Sequence, residues 1–383
     1  MPSLDSFAAE KLASLEARQL RRRLAETARE DGITVIRNGQ RLLSFSCNDY
    51  LNLSQHPEVK EAAIEAIRRF GVGAGASRLI TGNHPLYAEL ESRLARLKGT
   101  EAACVFGSGY LANAGIIPAL IGEDDLVLVD ELSHACLWAG AQLSRAELQV
   151  YRHNDLAHAE SLLDEHRKRH GRALIATDGV FSMDGDLAPL PELGDLAKRY
   201  DAWLLADDAH GLGVTGGGRG SAFAHDRKAE VPLQMGTLSK AAGGYGGYLC
   251  AARDVVDLVK NRARSFVYST GLPPASVAGA IAALDIIARG GDLVAAPLIK
   301  ARAFTAAAGL DEAQSPIVPV VLGDTARALE AARMLERAGF LAVAIRPPTV
   351  PEGTARLRLT FTALHPDDAI LKLAVLVRGL VHP

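Results

Sequence analysis

The sequence has few cysteines, and they lie far apart. The four cysteines, Cys47, Cys104, Cys136 and Cys250, form no C-x-x-C pair. This spacing excludes a zinc ribbon and a thioredoxin-type redox motif. Four cysteines in 383 residues are also too few for a disulfide scaffold. We therefore expect reduced, mostly buried cysteines in a cytoplasmic protein.

Neither sign of charge predominates, and no long apolar run is present. The chain has 42 Lys and Arg residues against 45 Asp and Glu residues, a formal net charge of -3. Without a basic excess, we expect no binding to nucleic acid or to a membrane surface. The most apolar helical run, residues 275–288, contains Asp285 and is too short to span a bilayer. The first twenty residues lack the apolar segment of a signal peptide, which also favours a cytoplasmic location.

Strand-like and helix-like segments alternate through the middle of the chain. Hydrophobic residues make up 48% of the sequence, enough for a large core, and the length allows two or three domains. The alternation predicts an α/β domain with a mostly parallel sheet. The predicted strands are Ala102–Phe106, Leu126–Val129, Leu148–Tyr151, Ala173–Thr177, Trp203–Ala206 and Gly247–Cys250, and the predicted helices include Leu86–Leu97, Ala157–His170 and Pro191–Tyr200.

The two ends of the chain have different patterns. Leucines near helical spacing predict a helix within residues 8–24, and Asn38-Gly39 between two apolar runs predicts a β-hairpin. After a long apolar helix at residues 275–289, shorter strands and helices predict a smaller α+β domain. We therefore divide the chain into an N-terminal segment (1–50), a large domain (51–288) and a C-terminal small domain (289–383).

One glycine-rich segment allows a different interpretation. Residues 71–76 fit the G-x-G-x-x-A pattern of a nicotinamide cofactor site, which would make the protein an oxidoreductase. That pattern requires a preceding strand, whereas a charged helix over residues 61–70 comes before it here. A flexible turn is the simpler interpretation, and the cofactor content of the protein separates the two hypotheses.

Two charged residues follow predicted strands or lie among small residues. Asp207 comes directly after an apolar run, and parallel sheets bind ligands at the carboxyl ends of their strands. An Asp that caps a turn is the alternative. Lys240 belongs to Thr237-Leu-Ser-Lys240 and precedes a run of small residues. A desolvated lysine forms Schiff bases with carbonyl compounds, although an ordinary loop lysine is the alternative.

A third feature is Phe106-Gly-Ser-Gly-Tyr110, where a predicted strand ends and a helix begins. The backbone N–H groups of Gly109 and Tyr110 suit a phosphate there, although a simple turn would look the same. Combined with Asp207, Thr237 and Lys240, this turn completes the parts of a pyridoxal 5'-phosphate site. Asp207 would keep the pyridine nitrogen protonated, and Lys240 would hold the aldehyde as an imine.

Motifs spread from about Arg21 to about His365 carry a resemblance to a known family. The motifs are Asn48-Asp-Tyr-Leu51, Leu132-Ser-His-Ala135, Val180-Phe-Ser-Met-Asp-Gly-Asp186, Asp207-Asp-Ala-His-Gly211, Thr237-Leu-Ser-Lys240, Tyr268-Ser-Thr270, Ile345-Arg-Pro-Pro-Thr-Val350 and Gly353-Thr-Ala-Arg-Leu-Arg358. Together they resemble the α-oxoamine synthases, which are fold-type I pyridoxal phosphate enzymes. The resemblance implies a large domain with a mostly parallel seven-stranded sheet flanked by helices, and a smaller α+β C-terminal domain.

The resemblance also implies which residues contact the cofactor. Lys240 would form the Schiff base and move the Cα proton, Asp207 would pair with the ring nitrogen, and His134 would stack on the ring. Ser182 and His210 would lie near the phenolic oxygen of the ring. The phosphate would be held by Gly109, Tyr110 and Thr237, and by Ser269 or Thr270 of a neighbouring subunit.

The reaction implied is the decarboxylative condensation of an amino acid with an acyl thioester. The motif pattern is most similar to that of members using L-alanine and a pimeloyl thioester, either pimeloyl-CoA or a pimeloyl group on an acyl carrier protein. Glycine or serine with a different acyl-CoA is the alternative, and a non-catalytic binding protein is disfavoured. Arg358 would bind the amino-acid carboxylate. The thioester or product would lie near Arg21, Asn48, His134 and Thr349, in a homodimer with active sites between subunits.

Overall fold

Helices and strands alternate through residues 3–381, the part of the chain that the computed structural model describes. The α-helices are α1 (Leu4–Ala17), α2 (Pro57–Phe70), α3 (Leu86–Lys98), α4 (Gly109–Leu120), α5 (Ala135–Ser144), α6 (Leu156–His166), α7 (Leu190–Arg199), α8 (Arg253–Arg262), α9 (Arg264–Val267), α10 (Pro274–Arg289), α11 (Asp292–Ala308), α12 (Thr325–Arg337) and α13 (Asp367–Val381). The strands are β1 (Thr27–Arg29), β2 (Thr34–Arg37), β3 (Gln40–Ser44), β4 (Ala102–Phe106), β5 (Leu126–Asp130), β6 (Glu147–Tyr151), β7 (Ala173–Asp178), β8 (Trp203–Asp207), β9 (Leu233–Thr237), β10 (Gly247–Ala251), β11 (Ile317–Gly323), β12 (Phe340–Leu341), β13 (Val343–Ile345) and β14 (Ala355–Thr360).

A seven-stranded sheet occupies the centre, with the strand order β4-β10-β9-β8-β7-β5-β6. Strand β10 is antiparallel to both of its neighbours, and the pairs from β9 to β6 are parallel. Every residue of β5 and β7 is buried, and so is β8 apart from Trp203. Continuous apolar strands of this kind are typical of a sheet covered on both faces. The predicted α/β fold with a mostly parallel seven-stranded sheet is confirmed.

Helices cover both faces of this sheet. On one face, α3 packs against β4 and β10, and α10 packs against α2 and α3, through residues such as Leu94, Tyr248 and Ile281. On the same face, α6 and α7 pack against β5, β7 and β8. On the other face, α4, α5 and α8 contribute Ile116, Leu137 and neighbouring side chains to one continuous apolar cluster. Helices α4 and α5 therefore lie directly against the strands that carry the site.

The C-terminal part forms its own small sheet, in the order β11-β14-β13. Helices α11, α12 and α13 cover it around Phe304, Leu357, Phe361 and Leu373. A further sheet, β1-β2-β3-β12, joins the N-terminal hairpin to this region, because β3 pairs in parallel with β12. The division at residues 50 and 288 stays a prediction. No helix within residues 3–381 is both long enough and apolar enough to cross a bilayer.

Three departures from the predicted elements have physical reasons. Helix α1 ends at Ala17, not near residue 24, and it buries none of its residues, so packing does not hold a longer helix there. Strand β9 was not predicted, because Gly236 weakens its strand pattern; a Cβ there would lie 2.3 Å from the Tyr248 hydroxyl. Helices α5 and α11 were also not predicted, since α5 is short and α11 contains Pro297.

Candidate active site

Three neighbouring parallel strands end at one cavity of about 210 Å³, which we call the inner cavity. Strand β7 ends at Asp178, β8 at Asp207 and β9 at Thr237. The carboxyl ends of parallel strands meet at the same sheet edge, where ligands bind. The inner cavity is lined by all but one of the predicted cofactor residues, namely Gly109, Tyr110, His134, Ser182, Asp207, His210, Thr237 and Lys240.

Lys240 presents its amine inside this cavity. Its Nζ lies 2.7 Å from His210 Nε2. Burial lowers the pKa of Lys240 from its usual 10.5 to about 8, although the carboxylates of Asp207 and Asp178 oppose that shift. With that pKa, about a tenth of this lysine is the neutral amine at pH 7, the form that attacks an aldehyde.

His210 connects Lys240 to a buried tyrosine. The Tyr50 hydroxyl lies 2.7 Å from His210 Nδ1. Burial lowers the pKa of His210 well below its usual 6.5, and the nearby cations Lys240 and Arg358 add to the effect. The ring is therefore neutral and carries one proton. When the Lys240 amine donates to Nε2, that proton lies on Nδ1 and is donated to the Tyr50 oxygen.

Asp207 is held from two sides. Asn113 Nδ2 donates to its Oδ2 over 2.7 Å, and the Ala209 backbone N–H donates to its Oδ1 over 3.0 Å. Asp178 lies beside it in the β7–β8 register and accepts the His134 backbone N–H over 3.1 Å. Burial raises the pKa of Asp178 well above its usual range, and the charge of Asp207 raises it further. Asp178 therefore gives up its proton less readily than an exposed carboxyl group does.

The opposite end of the cavity suits an anion. Helix α4 begins at Gly109, and Ser108 caps it by accepting the Leu111 N–H, so further backbone N–H groups of the first turn remain without helical acceptors. Gly247 on β10 permits the approach of this turn, since a Cβ there would lie 2.4 Å from the Ser108 carbonyl oxygen. The Thr237 hydroxyl donates to the Gly246 carbonyl over 2.7 Å and lies 2.8 Å from the Ser239 hydroxyl.

These groups fit pyridoxal phosphate. A reactive amine, a carboxylate held by two N–H donors and a helix N-terminus with adjacent hydroxyls are what its aldehyde, ring nitrogen and phosphate require. The donor set suits no metal instead: within residues 3–381, no three His, Cys, Asp or Glu side chains come together to hold a metal ion.

Arg358 lies at the edge of this cavity, on β14 of the small sheet. Its side chain is buried, its Nε donates to the Ser182 carbonyl oxygen, and its Nη1 donates to Asn48 Oδ1 over 3.1 Å. Arg358 and Asn48 therefore lie together beside Ser182, and their substrate roles stay predictions. Arg356, two residues earlier on the same face of β14, is instead paired with Asp184.

A wider cleft of about 980 Å³, the outer cleft, adjoins the inner cavity and shares His134 and Ser182 with it. Its other walls are formed by the loop Pro347–Glu352, by the segment after α1, and by residues that flank His134 and Ser182 in the chain. Arg22 lines this cleft and donates from Nη2 to the Thr349 hydroxyl over 2.6 Å. Arg21, the arginine predicted near the substrate, pairs with Glu16, and so does Arg23. The structure thus places Arg22, and not Arg21, beside Thr349.

Comparison with known proteins identifies the family. The family model described as aminotransferase class I and II matches residues 40–376. An 8-amino-7-oxononanoate synthase from Beijerinckia indica is 63% identical over 381 residues, which cover 100% of this chain and 99% of that protein. The chain belongs to the 8-amino-7-oxononanoate synthase family. It is therefore a pyridoxal phosphate-dependent acyltransferase of the α-oxoamine synthase type.

Solved structures agree with this membership of the 8-amino-7-oxononanoate synthase family. The serine palmitoyltransferase of Sphingomonas wittichii superposes with a TM-score of 0.91 at 30% identity, covering 98% of this chain and 96% of that one. An 8-amino-7-oxononanoate synthase from Francisella tularensis gives a TM-score of 0.76 at 26% identity, covering 89% of this chain and 98% of that one. The nicotinamide hypothesis for residues 71–76 is wrong, because the family cofactor is pyridoxal phosphate and α2, not a strand, precedes the glycines.

Thr270 is the predicted cofactor residue that does not line the inner cavity of its own chain. It forms an isolated antiparallel bridge with Ser77 instead. Several residues that line or support the cavity were missed. Asp178 follows an apolar run just as Asp207 does, and Ser108 and Ser239 lie within the quoted motifs, so a signal existed for these three. Asn113 is buried on α4, and no sequence pattern indicates its contact with Asp207.

Proposed function

We propose that this protein condenses L-alanine with a pimeloyl thioester to give 8-amino-7-oxononanoate, carbon dioxide and the free thiol, a step of biotin biosynthesis. The observation that carries the proposal is the 63% identity, over the whole chain, to a protein named for that product. The arrangement of amine, carboxylate and guanidinium around one cavity supports it.

Different residues of the chain bind the amino acid and move its proton. Bound pyridoxal phosphate supplies a cationic ring that delocalises the electron pair left on Cα of the amino acid. Arg358 binds the amino-acid carboxylate, a task for which the planar guanidinium provides two parallel donors. Lys240 removes the Cα proton as a general base, and its pKa of about 8 suits this role near neutral pH. His210, 2.7 Å from Nζ, holds the amine in place.

We assign the thioester to the outer cleft. It adjoins the inner cavity at His134 and Ser182, so an acyl carbonyl bound there lies close to the amino acid. A pimeloyl group ends in a carboxylate, and Arg22 offers a guanidinium partner in this cleft. Pimeloyl-CoA and a pimeloyl carrier protein present the same acyl group, and the cleft suits both.

An absorbance titration combined with product analysis tests this function. The protein loaded with pyridoxal phosphate is titrated in parallel with L-alanine, glycine and L-serine, and turnover is then followed by mass spectrometry with pimeloyl-CoA and with pimeloyl carrier protein. We expect L-alanine to perturb the visible band at the lowest concentration and 8-amino-7-oxononanoate to form. Preference for glycine or serine, with no product from pimeloyl donors, would assign the chain to another α-oxoamine synthase activity.

We further propose a homodimer whose active sites lie between subunits. Thr270 lies outside the cavity of its own chain, and the loop bridged to it exposes large apolar side chains. Val72, Ile80 and Tyr268 are 79%, 75% and 74% exposed, which is costly for a monomer in water. Sedimentation equilibrium should give twice the chain mass, and a monomer that retains full activity would contradict the proposal.

A further inference from the structure

Asn113 is a fully buried polar residue on α4. It takes no part in the binding and proton-transfer roles proposed for Lys240, His210 and Arg358. Its Nδ2 lies 2.7 Å from Asp207 Oδ2 and 3.1 Å from Cys136 Sγ. Its Oδ1 has no hydrogen-bond partner among residues 3–381. A carboxylate only accepts hydrogen bonds, so the amide must present its NH₂ group to Asp207. Burying the Oδ1 atom without a partner is a cost that the contact to Asp207 has to offset.

The Asn113 side chain supplies the second N–H donor to the Asp207 carboxylate. The backbone N–H of Ala209 binds Oδ1, and the Asn113 side chain binds Oδ2, so each oxygen has one N–H donor. The Cys136 thiol lies 3.5 Å from Oδ2, a longer and weaker contact. N–H donors favour the charged form of a carboxylate and fix its direction. Asn113 is the one of these two N–H donors that comes from a side chain, and so it can be removed by mutation.

A glycine on the neighbouring helix allows Asn113 to reach this position. A Cβ at Gly140 of α5 would lie 2.5 Å from the backbone carbonyl oxygen of Asn113 and 2.8 Å from Ile117 Cδ1. Helices α4 and α5 therefore cross at a distance that only glycine tolerates at this point. The close crossing holds α4, and with it the amide of Asn113, against the end of β8.

We propose that Asn113 is a positioning residue that acts through Asp207. Its N–H holds the Asp207 carboxylate in place at the inner cavity, so that the affinity for pyridoxal phosphate depends on it. The inference rests on the proposed role of Asp207 as the partner of the ring nitrogen.

The test measures the dissociation constant of pyridoxal phosphate by titrating apoprotein and following the visible band. N113L keeps a similar side-chain size without a donor, and N113D keeps the shape but replaces the donor by an acceptor. Q234L is the matched control, because Gln234 is a buried amide on the adjacent strand β9 whose Nε2 faces the Lys98 carbonyl instead. We expect the dissociation constant to rise about tenfold or more in N113L, further in N113D, and less than about twofold in Q234L.

D207N and the double variant N113L/D207N complete the experiment. If Asn113 acts through Asp207, N113L should add little to the effect of D207N, because the carboxylate it holds is already gone. Additive effects, or unchanged affinity in both N113L and N113D, would overturn the inference while leaving the proposed function intact. Unchanged affinity in D207N itself would instead overturn the role of Asp207. Unfolding temperatures of the apoproteins identify any variant that is misfolded. If N113L is misfolded, the affinity of N113D, the variant closest in shape to the parent, tests the inference.

Discussion

The inner cavity and the outer cleft are built from different kinds of structure. The inner cavity is walled by the ends of β7, β8 and β9, by the residues that directly follow these strands, including His210 and Lys240, and by the first turns of α4 and α5. The outer cleft is walled by the segment after α1, the loop Pro347–Glu352 and residues 131–135 and 182–184, most of which lie outside regular elements. Groups on a rigid sheet edge reach defined positions, whereas groups on loops adapt to what binds. Changes in the inner cavity should therefore cost much more than changes in the outer cleft.

The largest effect is expected at Lys240. Lys240→Ala should abolish the visible band that borohydride removes, and should lower turnover at least about a thousandfold, because both the covalent hold and the general base are lost. The unfolding temperature should remain close to that of the parent protein. Lys168→Ala, at an exposed lysine outside both cavities, is the control and should leave the band unchanged. Normal turnover in Lys240→Ala would remove this residue from the mechanism.

Arg358→Ala should give the next largest effect. Removing the guanidinium leaves the amino-acid carboxylate without its charged partner, and we expect KM for L-alanine to rise about 10- to 100-fold. KM for the thioester should change by less than about twofold, since we propose that the acyl group binds in the outer cleft. Steady-state kinetics with each substrate varied in turn measures both constants. Equal rises in the two KM values would contradict the proposal that the amino acid binds at the inner cavity and the thioester in the outer cleft.

The pH dependence of cofactor loading tests the inner cavity without a mutation. Lys240 attacks as the neutral amine, and with a pKa of about 8 that form increases about tenfold between pH 7 and pH 9 and then levels off. The rate at which apoprotein forms the visible band should follow this curve. An unperturbed lysine would instead give a rate that continues to climb toward pH 10. A rate that still rises steeply above pH 9 would contradict the burial of this amine.

The smallest effect is expected in the outer cleft. Arg22→Ala should raise KM for the thioester about three- to tenfold, because a single guanidinium on a loop is replaced readily by water. Arg21→Ala and Arg23→Ala are matched controls on the same segment, since both arginines pair with Glu16. They should change KM for the thioester by less than about twofold. A larger effect in Arg21→Ala than in Arg22→Ala would reverse the assignment of the arginine.

The same division explains how much could be predicted from the sequence. Asp207 was recognisable only in combination with Lys240 and the turn at residues 106–110, because an Asp directly after a strand often caps a turn. Lys240 was recognisable because small residues surround it. Which of three consecutive arginines faces the outer cleft has no such signal in the sequence. The structure places Arg22, and not Arg21, beside Thr349, and the substrate role of Arg21 stays a prediction. Asn113 could not be predicted either, because its contact with Asp207 depends on how closely two helices cross at Gly140.

The fold class was predictable for a similar reason. Continuous apolar strands such as β5 and β7 follow from burial on both faces of a sheet, and alternation with helices follows from parallel pairing. Strand β9 was missed although it ends at Thr237, because Gln234 and Gly236 interrupt its apolar pattern. Both residues are explained by neighbours outside the strand: Gln234 by Lys98, and Gly236 by the ring of Tyr248.

The contact between Arg358 and Asn48 joins residues 310 positions apart in the chain, whereas the residues lining the inner cavity all lie between Ser108 and Lys240. Contacts between distant parts of a chain require the closure of long loops and form slowly during folding. Cofactor binding and the response to alanine should therefore return one after the other when the denatured protein is refolded in the presence of pyridoxal phosphate. The cofactor band should return first, and the spectral response to alanine should follow once the C-terminal sheet has docked.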